Sequence, residues 1–422
     1  QTIRTLGSMG HFTAEAIAPD IQPVVNSDEL VDINWPLEEI ASDQFQIAGG
    51  WGGGTFVGSV GVTLNNLSIK NFFKKGAWRP YPMGQNQRLS ISAQTNGTYY
   101  KAFAISFTDP WMGGRKPNSF TISAHYSDEN NAYYAWQKGT RYFRTAGVAA
   151  GLGKRLDWPD PYFTFYAEAS YERYMLKDWN TFVLKNGAAN LLSIRLVLGR
   201  NSVDQPIYPR RGSDFSVSVQ LTPPYSLWDG KDYKSTALSE QERYNWIEFH
   251  KWMLKGQWFT PLTRNGNLVL MARAEMGYLG HYNKNKVSPF ERFEVGGDGM
   301  TGYNMYGIDI ISMRGYDDGA LDPVGSNYSC AYNKYTMELR YPLLLKGQTN
   351  IYVLGFLEGG NGFTSWKEFS PFKIKRSAGI GVRLFLPVVG MVGVDWGWGF
   401  DPAAGQTKRS GSHIHFTMGM QF

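Results

Sequence analysis

The sequence predicts an all-β fold, a sixteen-stranded antiparallel transmembrane β-barrel, on three observations. From about residue 44 onward, apolar and polar residues alternate with the period of two that marks a strand with one apolar face. The alternating runs are about ten residues long, which a tilted strand needs to cross a bilayer, whereas soluble strands usually hold about 5–6. The polar faces carry Glu338, Arg340, Arg383 and Asp395 in mid-strand beside small glycines, while aromatics gather near the strand ends. A lipid-facing charge would cost several kcal/mol, so these faces belong to a polar lumen. The competing reading, a large soluble β-sandwich or propeller, would turn its apolar face inward.

The runs follow one another along the chain. They are QFQIAGGW, TFVGSVGVTLNNL, RLSISAQT, KAFAISFT, SFTISAHY, RYFRTAGVAAGLGK, YFTFYAEASYERYML and LLSIRLVLG in the first half. DFSVSVQLT, WIEFHKWMLKGQWF, LVLMARAEMGYL, KYTMELRYPL, NIYVLGFLEG, SAGIGVRLFLP, MVGVDWGWGF and HIHFTMGMQF complete the set. In the last, His415, Thr417, Gly419 and Gln421 share one face, and Phe416, Met418, Met420 and Phe422 share the other. The connections alternate in length, with YPLLLKGQTN and LPVVGM as short turns and long polar segments near 177–189, 222–243, 282–333, 359–374 and 400–411.

Composition narrows the class. The 422 residues are 15% aromatic and hold 48 glycines, and mean hydropathy is only -0.35. No window approaches the roughly 18 unbroken apolar residues of a membrane helix, which excludes a helical membrane protein. Net charge is +6, but Lys and Arg are scattered and form no basic run, so no nucleic-acid partner is expected. The single Cys330 excludes an internal disulfide and a cysteine metal cluster. The opening TIRTLGSMGHF lacks the basic start and apolar core of a signal peptide, so the chain reads as mature or as a fragment.

Residues 1–43 differ from the rest. TIRTLGSMGHF reads as a helix, and TAEAIAPDIQPV and ELVDINWPLEEI read as strands. An α-β-β piece of this size cannot bury a core of its own, so it reads as the remainder of a larger domain.

On four stretches the sequence resembles the BamA family, the insertases that assemble outer-membrane β-barrel proteins. Met313-Arg314-Gly315-Tyr316 matches the family's Val-Arg-Gly-Phe motif, with Met for Val and Tyr for Phe, between the strands counted as eleventh and twelfth. FERFEVGG (Phe290–Gly297) resembles the approach to that motif, NSVDQPIYPRRGS resembles an Asp-Pro-Arg-Gly turn, and FTMGMQF resembles a barrel-targeting signal. The departure is a loop enlarged between VGG and MRGY. The resemblance implies that residues 1–43 are the C-terminal part of the last POTRA domain, an α/β unit. It implies further that 44–422 are the barrel, with a long external loop at 282–333.

Alternation puts Glu338 on the inner face, with Met337 and Leu339 outside, and Glu358 inside if Leu357 faces lipid. In the family, carboxylates at these strand positions hold the motif arginine. Arg314 is therefore expected to reach Glu338 and Glu358, with Gly315 permitting a tight reversal and Tyr316 packing on the wall. The bland reading leaves Arg314 in solvent. A second candidate is the lateral seam between the first and last strands, at Phe45, Ile47, Gly49, Gly50, Thr417, Gly419 and Phe422. Glycines weaken the first strand, and a weakly paired edge recruits other strands. Alternatively, these glycines relieve crowding or form the first external turn.

The expected function is an insertase in the Gram-negative outer membrane, with its POTRA end in the periplasm. Its expected partners are unfolded outer-membrane proteins, outer-membrane lipid and lipopolysaccharide, and accessory assembly lipoproteins or other assembly-complex subunits. No catalytic residue, metal or cofactor is expected: His413 and His415 have no nucleophile at an informative spacing. The alternative is a sixteen-stranded translocation or transport pore, two-partner-secretion-like or porin-like.

Overall fold

The computed structural model of the chain describes residues 19–23, 30–37, 43–52, 55–96, 99–114, 116–131, 139–205, 207–298, 308–325, 328–346, 349–386 and 390–418. Its contacts divide it into two compact units, 1–128 with 132–138, and 129–131 with 139–422. In the first, β1 (Asp20–Pro23) and β2 (Val31–Asn34) form an exposed antiparallel hairpin inside the two strands expected there. The helix expected in TIRTLGSMGHF lies outside the described residues.

The rest of the first unit is β3 (Gln44–Gly52), β4 (Thr55–Leu67), β5 (Gln87–Asn96), β6 (Tyr100–Asp109) and β7 (Asn118–Asn130), whose last two residues belong to the second unit. The second unit continues with β8 (Tyr142–Arg155), β9 (Phe163–Lys177), β10 (Gly187–Asn201), β11 (Gly212–Leu221), β12 (His250–Pro261) and β13 (Val269–Gly280). Two short strands, β14 (Arg292–Val295) and β15 (Ile308–Ile311), interrupt the series. It resumes as β16 (Ala331–Lys346), β17 (Thr349–Phe363), β18 (Lys375–Leu386), β19 (Gly390–Pro402) and β20 (Arg409–Met418). Setting aside β1, β2, β14 and β15, sixteen strands follow the predicted series in order. Within each unit, successive strands of the series pair antiparallel. Among the described residues no helix is long and apolar enough to cross a membrane.

Burial follows the alternation. Along β19, Gly393, Asp395, Gly397 and Gly399 are buried, while Val394, Trp396, Trp398 and Phe400 are exposed to the outside. Along β16, Thr336, Glu338 and Arg340 are buried between exposed Met337, Leu339 and Tyr341. A strand that keeps its ions inside and its indoles outside is built for lipid on one side and polar surface on the other.

The long connections depart from the expectation of irregular polar loops. Residues 222–249 hold a short helix, Glu240–Tyr244, started by a capping box in which Ser239 and Glu242 satisfy each other's backbone N–H groups. The following strand begins at His250 rather than Trp246, because this helix takes up the approach. β17 runs on through Gly359–Phe363, read from sequence as loop. A Cβ at Gly360 would stand 2.7 Å from Asn333 O, so glycine there permits close approach instead of a break.

The connection between β13 and β16 is the largest departure. β14 and β15 pair in parallel, and Phe290, Phe293, Val295, Ile311, Met313, Tyr316 and Leu321 form a dry core with Phe143, Tyr174 and Tyr332 of the wall. Phe290 stands 4.4 Å from the Tyr174 ring and Phe293 4.9 Å from Tyr332. Part of the signal was in the sequence, as Phe293 with Val295 and Ile311 with Met313 are spaced two apart, but these pairs are short and lie among charges that read as polar loop.

Candidate functional site

The site grows from β16 to β20, whose inner residues meet the loop. Met313 N–H donates to Gly297 O at 2.8 Å and Gly296 N–H to Ile311 O at 3.0 Å, so the VGG stretch holds the motif by its backbone. Gly297 and Gly315 have φ of +70° and +85°, the left-handed region that favours glycine. At Gly315 the chain turns against β18 and β19, where a Cβ would lie 2.8 Å from Ser377 Cβ. Glycines on β19 complete the fit, since a Cβ on Gly397 would stand 2.7 Å from Gly315 N. The motif thus lies on a shelf without side chains.

From that turn Arg314 points into an ionic cluster. Its Nη2 donates to Glu338 Oε1 and Glu358 Oε1, each at 2.7 Å, and its backbone N–H donates to Glu358 Oε2 at 2.9 Å. Nη1 stands 3.6 Å from Asp395 Oδ2, and the guanidinium lies 3.7 Å from the centroid of the Phe356 ring. Each carboxylate has a further partner. Arg340 holds Glu338 at 2.7 Å, Arg383 holds Asp395 at 2.7 and 2.8 Å, and Thr336 and Lys334 flank Glu358 at 3.1 and 3.9 Å. Burial opposes the Arg314 charge, yet Glu358, Glu338 and Asp395 outweigh it and raise its pKa above the ordinary guanidinium value. Around the cluster lies a cavity of about 70 Å³, lined in part by Asp298, Arg314, His415 and Thr417.

The same loop grips the terminal strand β20. Gly315 N–H donates to His415 Nε2 at 2.8 Å, Phe416 N–H donates to Asp298 Oδ2 at 3.1 Å, and Asp317 Oδ1 stands 3.2 Å from His413 Nδ1. A second anchor lies on β12, where Lys251 holds Glu291 at 2.8 Å and also Asp309, both carboxylates being carried by the connection between β13 and β16. Further out, Lys286 reaches Glu248 at 3.4 Å in a buried contact that joins two connections.

Among the expected residues, Met313, Arg314, Gly315, Tyr316, Glu338 and Glu358 are brought together, with Tyr316 fully buried and its hydroxyl donating to Arg376 O at 2.8 Å. Phe45, Ile47, Gly49 and Gly50 lie on β3, opposite Val62, Val60, Gly58 and Val57 of β4. Thr417 lies on β20 opposite Gly393, and Gly419 and Phe422 fall outside the described residues. Asp395, His415, Phe356, Lys251 and the glycine shelf were not singled out as loop contacts. Their inner-face placement was visible in the alternation, but nothing in sequence says which inner residue a loop will touch. Among the described residues, no group of three or more His, Cys, Asp or Glu stands close enough to hold a metal.

These features define a membrane β-barrel that carries a folded, ion-pinned loop on its inner face. A family model described as the Omp85 superfamily domain matches residues 83–422, and the chain belongs to that superfamily. It is 23% identical over 354 residues to the outer membrane protein assembly factor BamA of Neisseria meningitidis serogroup B, a match covering 79% of this chain and 36% of that protein. The chain therefore spans about a third of the length of that relative. Among solved structures it resembles BamA from Haemophilus ducreyi lacking POTRA domains 1–3, at TM-score 0.59 and 18% identity, over 98% of this chain and 76% of that one. It also resembles CdiB from Escherichia coli, at TM-score 0.55 and 13% identity, over 97% of this chain and 68% of that one. These structural likenesses speak to fold.

Proposed function

We propose that the protein is an outer-membrane insertase that folds and inserts β-barrel proteins through a lateral seam between its first and last barrel strands. The observation that carries this reading is the double attachment of the loop. Arg314 fixes the loop to the wall at β16 and β17, while Gly315 and Asp298 hold β20, one of the two strands that would form the seam. A strand edge held by a few hydrogen bonds can be released and exchanged for a client strand, because β-augmentation replaces main-chain bonds with equivalent ones. The work is strand exchange and local membrane thinning, without catalytic residue, nucleotide or cofactor. Clients are unfolded outer-membrane proteins. Outer-membrane lipid, lipopolysaccharide and accessory assembly lipoproteins or other assembly subunits are partners. Residues 1–43 are the end of a POTRA domain on the periplasmic side.

A second reading, a translocation or transport pore, draws support from the nearly equal likeness to CdiB. The test is a seam lock in the full-length protein, with Cys330→Ser and a cysteine pair placed across Phe45–Gly50 and Thr417–Met420. If oxidation stops client insertion into liposomes and reduction restores it, the seam is the working site. If insertion is indifferent to the lock while solute flux tracks the lumen, the pore reading takes its place.

A further inference from the structure

The connection between β4 and β5 is far longer than the two residues a hairpin needs. Its sequence, SIKNFFKKGAWRPYPMGQN over residues 68–86, holds Lys70, Lys74, Lys75 and Arg79 and no carboxylate. All four cations are exposed. So are its apolar groups: Phe73 is 92% exposed, and Phe72, Trp78 and Ile69 are about half exposed.

This is a folded element rather than slack chain. Ser68 N–H donates to Pro82 O at 2.8 Å, Gly84 N–H to Asn66 O at 3.0 Å, and Asn71 Nδ2 to Met83 O at 3.2 Å. Trp78 Nε1 donates to Phe72 O at 3.0 Å, and Phe72 packs edge-on against Trp78 and Phe73. The base is clamped where Tyr81 OH donates to the Asp43 carboxylate at 2.6 and 2.7 Å. The sequence therefore spends a defined structure on displaying three aromatic rings and four cations to the outside.

We infer that this element is a membrane-surface anchor that takes the headgroups of anionic phospholipids. Lipid is within reach, because the element springs directly from two membrane strands whose outer faces show Val60 and Ile91, each about half exposed. The chemistry is complementary. Aromatic rings settle at the level of the headgroups, lysine stems lie along apolar surface, and their ammonium groups meet the phosphates. Each basic residue near an anionic leaflet favours the docked state by roughly fivefold. The ordinary aromatic girdle of a barrel sits on the strand ends; these rings are carried beyond them with their own charges. The inference needs only the membrane barrel, and it stands whether the barrel inserts proteins or conducts solutes.

The test uses the full chain with Cys330→Ser and a polarity-sensitive fluorophore on Ala77→Cys. It is reconstituted into vesicles of phosphatidylcholine alone and of phosphatidylcholine with phosphatidylglycerol. Heat-modifiable gel mobility confirms that each variant has folded. The expected result is a blue-shifted emission, shielded from aqueous iodide, that is larger with phosphatidylglycerol. Lys74→Glu with Lys75→Glu should lower the docked-to-undocked ratio by about tenfold or more. Water-like emission in both vesicles overturns the anchor and would point to a protein partner. A shift of equal size in both, insensitive to the charge reversal, overturns the anionic headgroup.

Discussion

Replacing Arg314 with Ala tests whether the loop is held by ions. The guanidinium is buried, and its removal takes away two 2.7 Å bonds to Glu338 and Glu358 together with its stacking on Phe356. Breaking a buried pair costs about 3–5 kcal/mol when a charge is left bare. Here Glu338 keeps Arg340 and Asp395 keeps Arg383, so the exposed debt falls on Glu358, whose remaining cation, Lys334, is 3.9 Å away. The low end applies, about 3 kcal/mol, which shifts the docked-to-undocked ratio of the loop by about a hundredfold. Protease nicking between Gly297 and Asp322 in folded, reconstituted protein should rise accordingly. Arg314→Lys should fall between, since an ammonium keeps the charge and loses the planar fork. Adding Glu358→Gln to Arg314→Ala should recover part of the loss, because it removes the stranded charge. Unchanged nicking in Arg314→Ala, or no recovery in the double variant, would refute the ionic pin.

Three further outcomes follow from the same geometry. Gly397→Ala should push the motif off its shelf at a cost of about 1–3 kcal/mol, read as higher loop nicking with an intact barrel by heat-modifiable mobility. Asp298→Ala should speed hydrogen exchange at the Phe416 amide by about tenfold, since that N–H loses a charged acceptor; Asp298→Asn should keep most of the protection. Asp322 gives a pH signature. Burial pushes its pKa up to about 8 from an ordinary 3.8, although Ser329 Oγ and Val295 N–H donate to it at 2.5 and 3.2 Å. The folded loop then binds a proton that the unfolded loop releases, so loop stability should fall as pH rises from about 4 to about 8 and be flat beyond. An equal slope in Asp322→Asn would remove Asp322 as its source.

How much was legible depends on the physics behind each residue. The strand series was legible because lipid on one side and polar surface on the other force a period of two, and every strand repeats the signal. The inner position of Glu338 and Glu358 came from that same alternation, whereas attention to Arg314 came from the resemblance. Gly397 and Gly399 fall on the inner face by the same alternation, yet their meaning lies in what approaches them, a backbone some eighty residues earlier in the chain. The loop core hid for a related reason. Phe290, Phe293 and Ile311 are spread through a segment full of charges, and Lys251, Glu291 and Asp309 look solvated until the structure shows them paired and Lys251 and Glu291 buried.

The use of ions to hold a loop inside a barrel follows from the barrel itself. A membrane barrel turns most of its apolar surface to lipid, and below the rim the groups of β16–β20 that meet the docking loop are mainly charged or polar, with Phe356 as the apolar ring under Arg314. Near the rim the loop finds an apolar patch, the Phe143 and Tyr174 surface, and packs its own aromatics there. Deeper down the handles are Glu338, Glu358, Asp395 and His415. Buried ion pairs add little net stability over well-packed apolar contacts, but removing one partner is strongly unfavourable. A loop held in this way has one register and is hard to misplace. It can also be freed as a unit once a competing group takes Glu358 or the Phe416 amide. That combination, specific placement with modest net stability, is what the proposed exchange of a client strand at β20 would require of the loop.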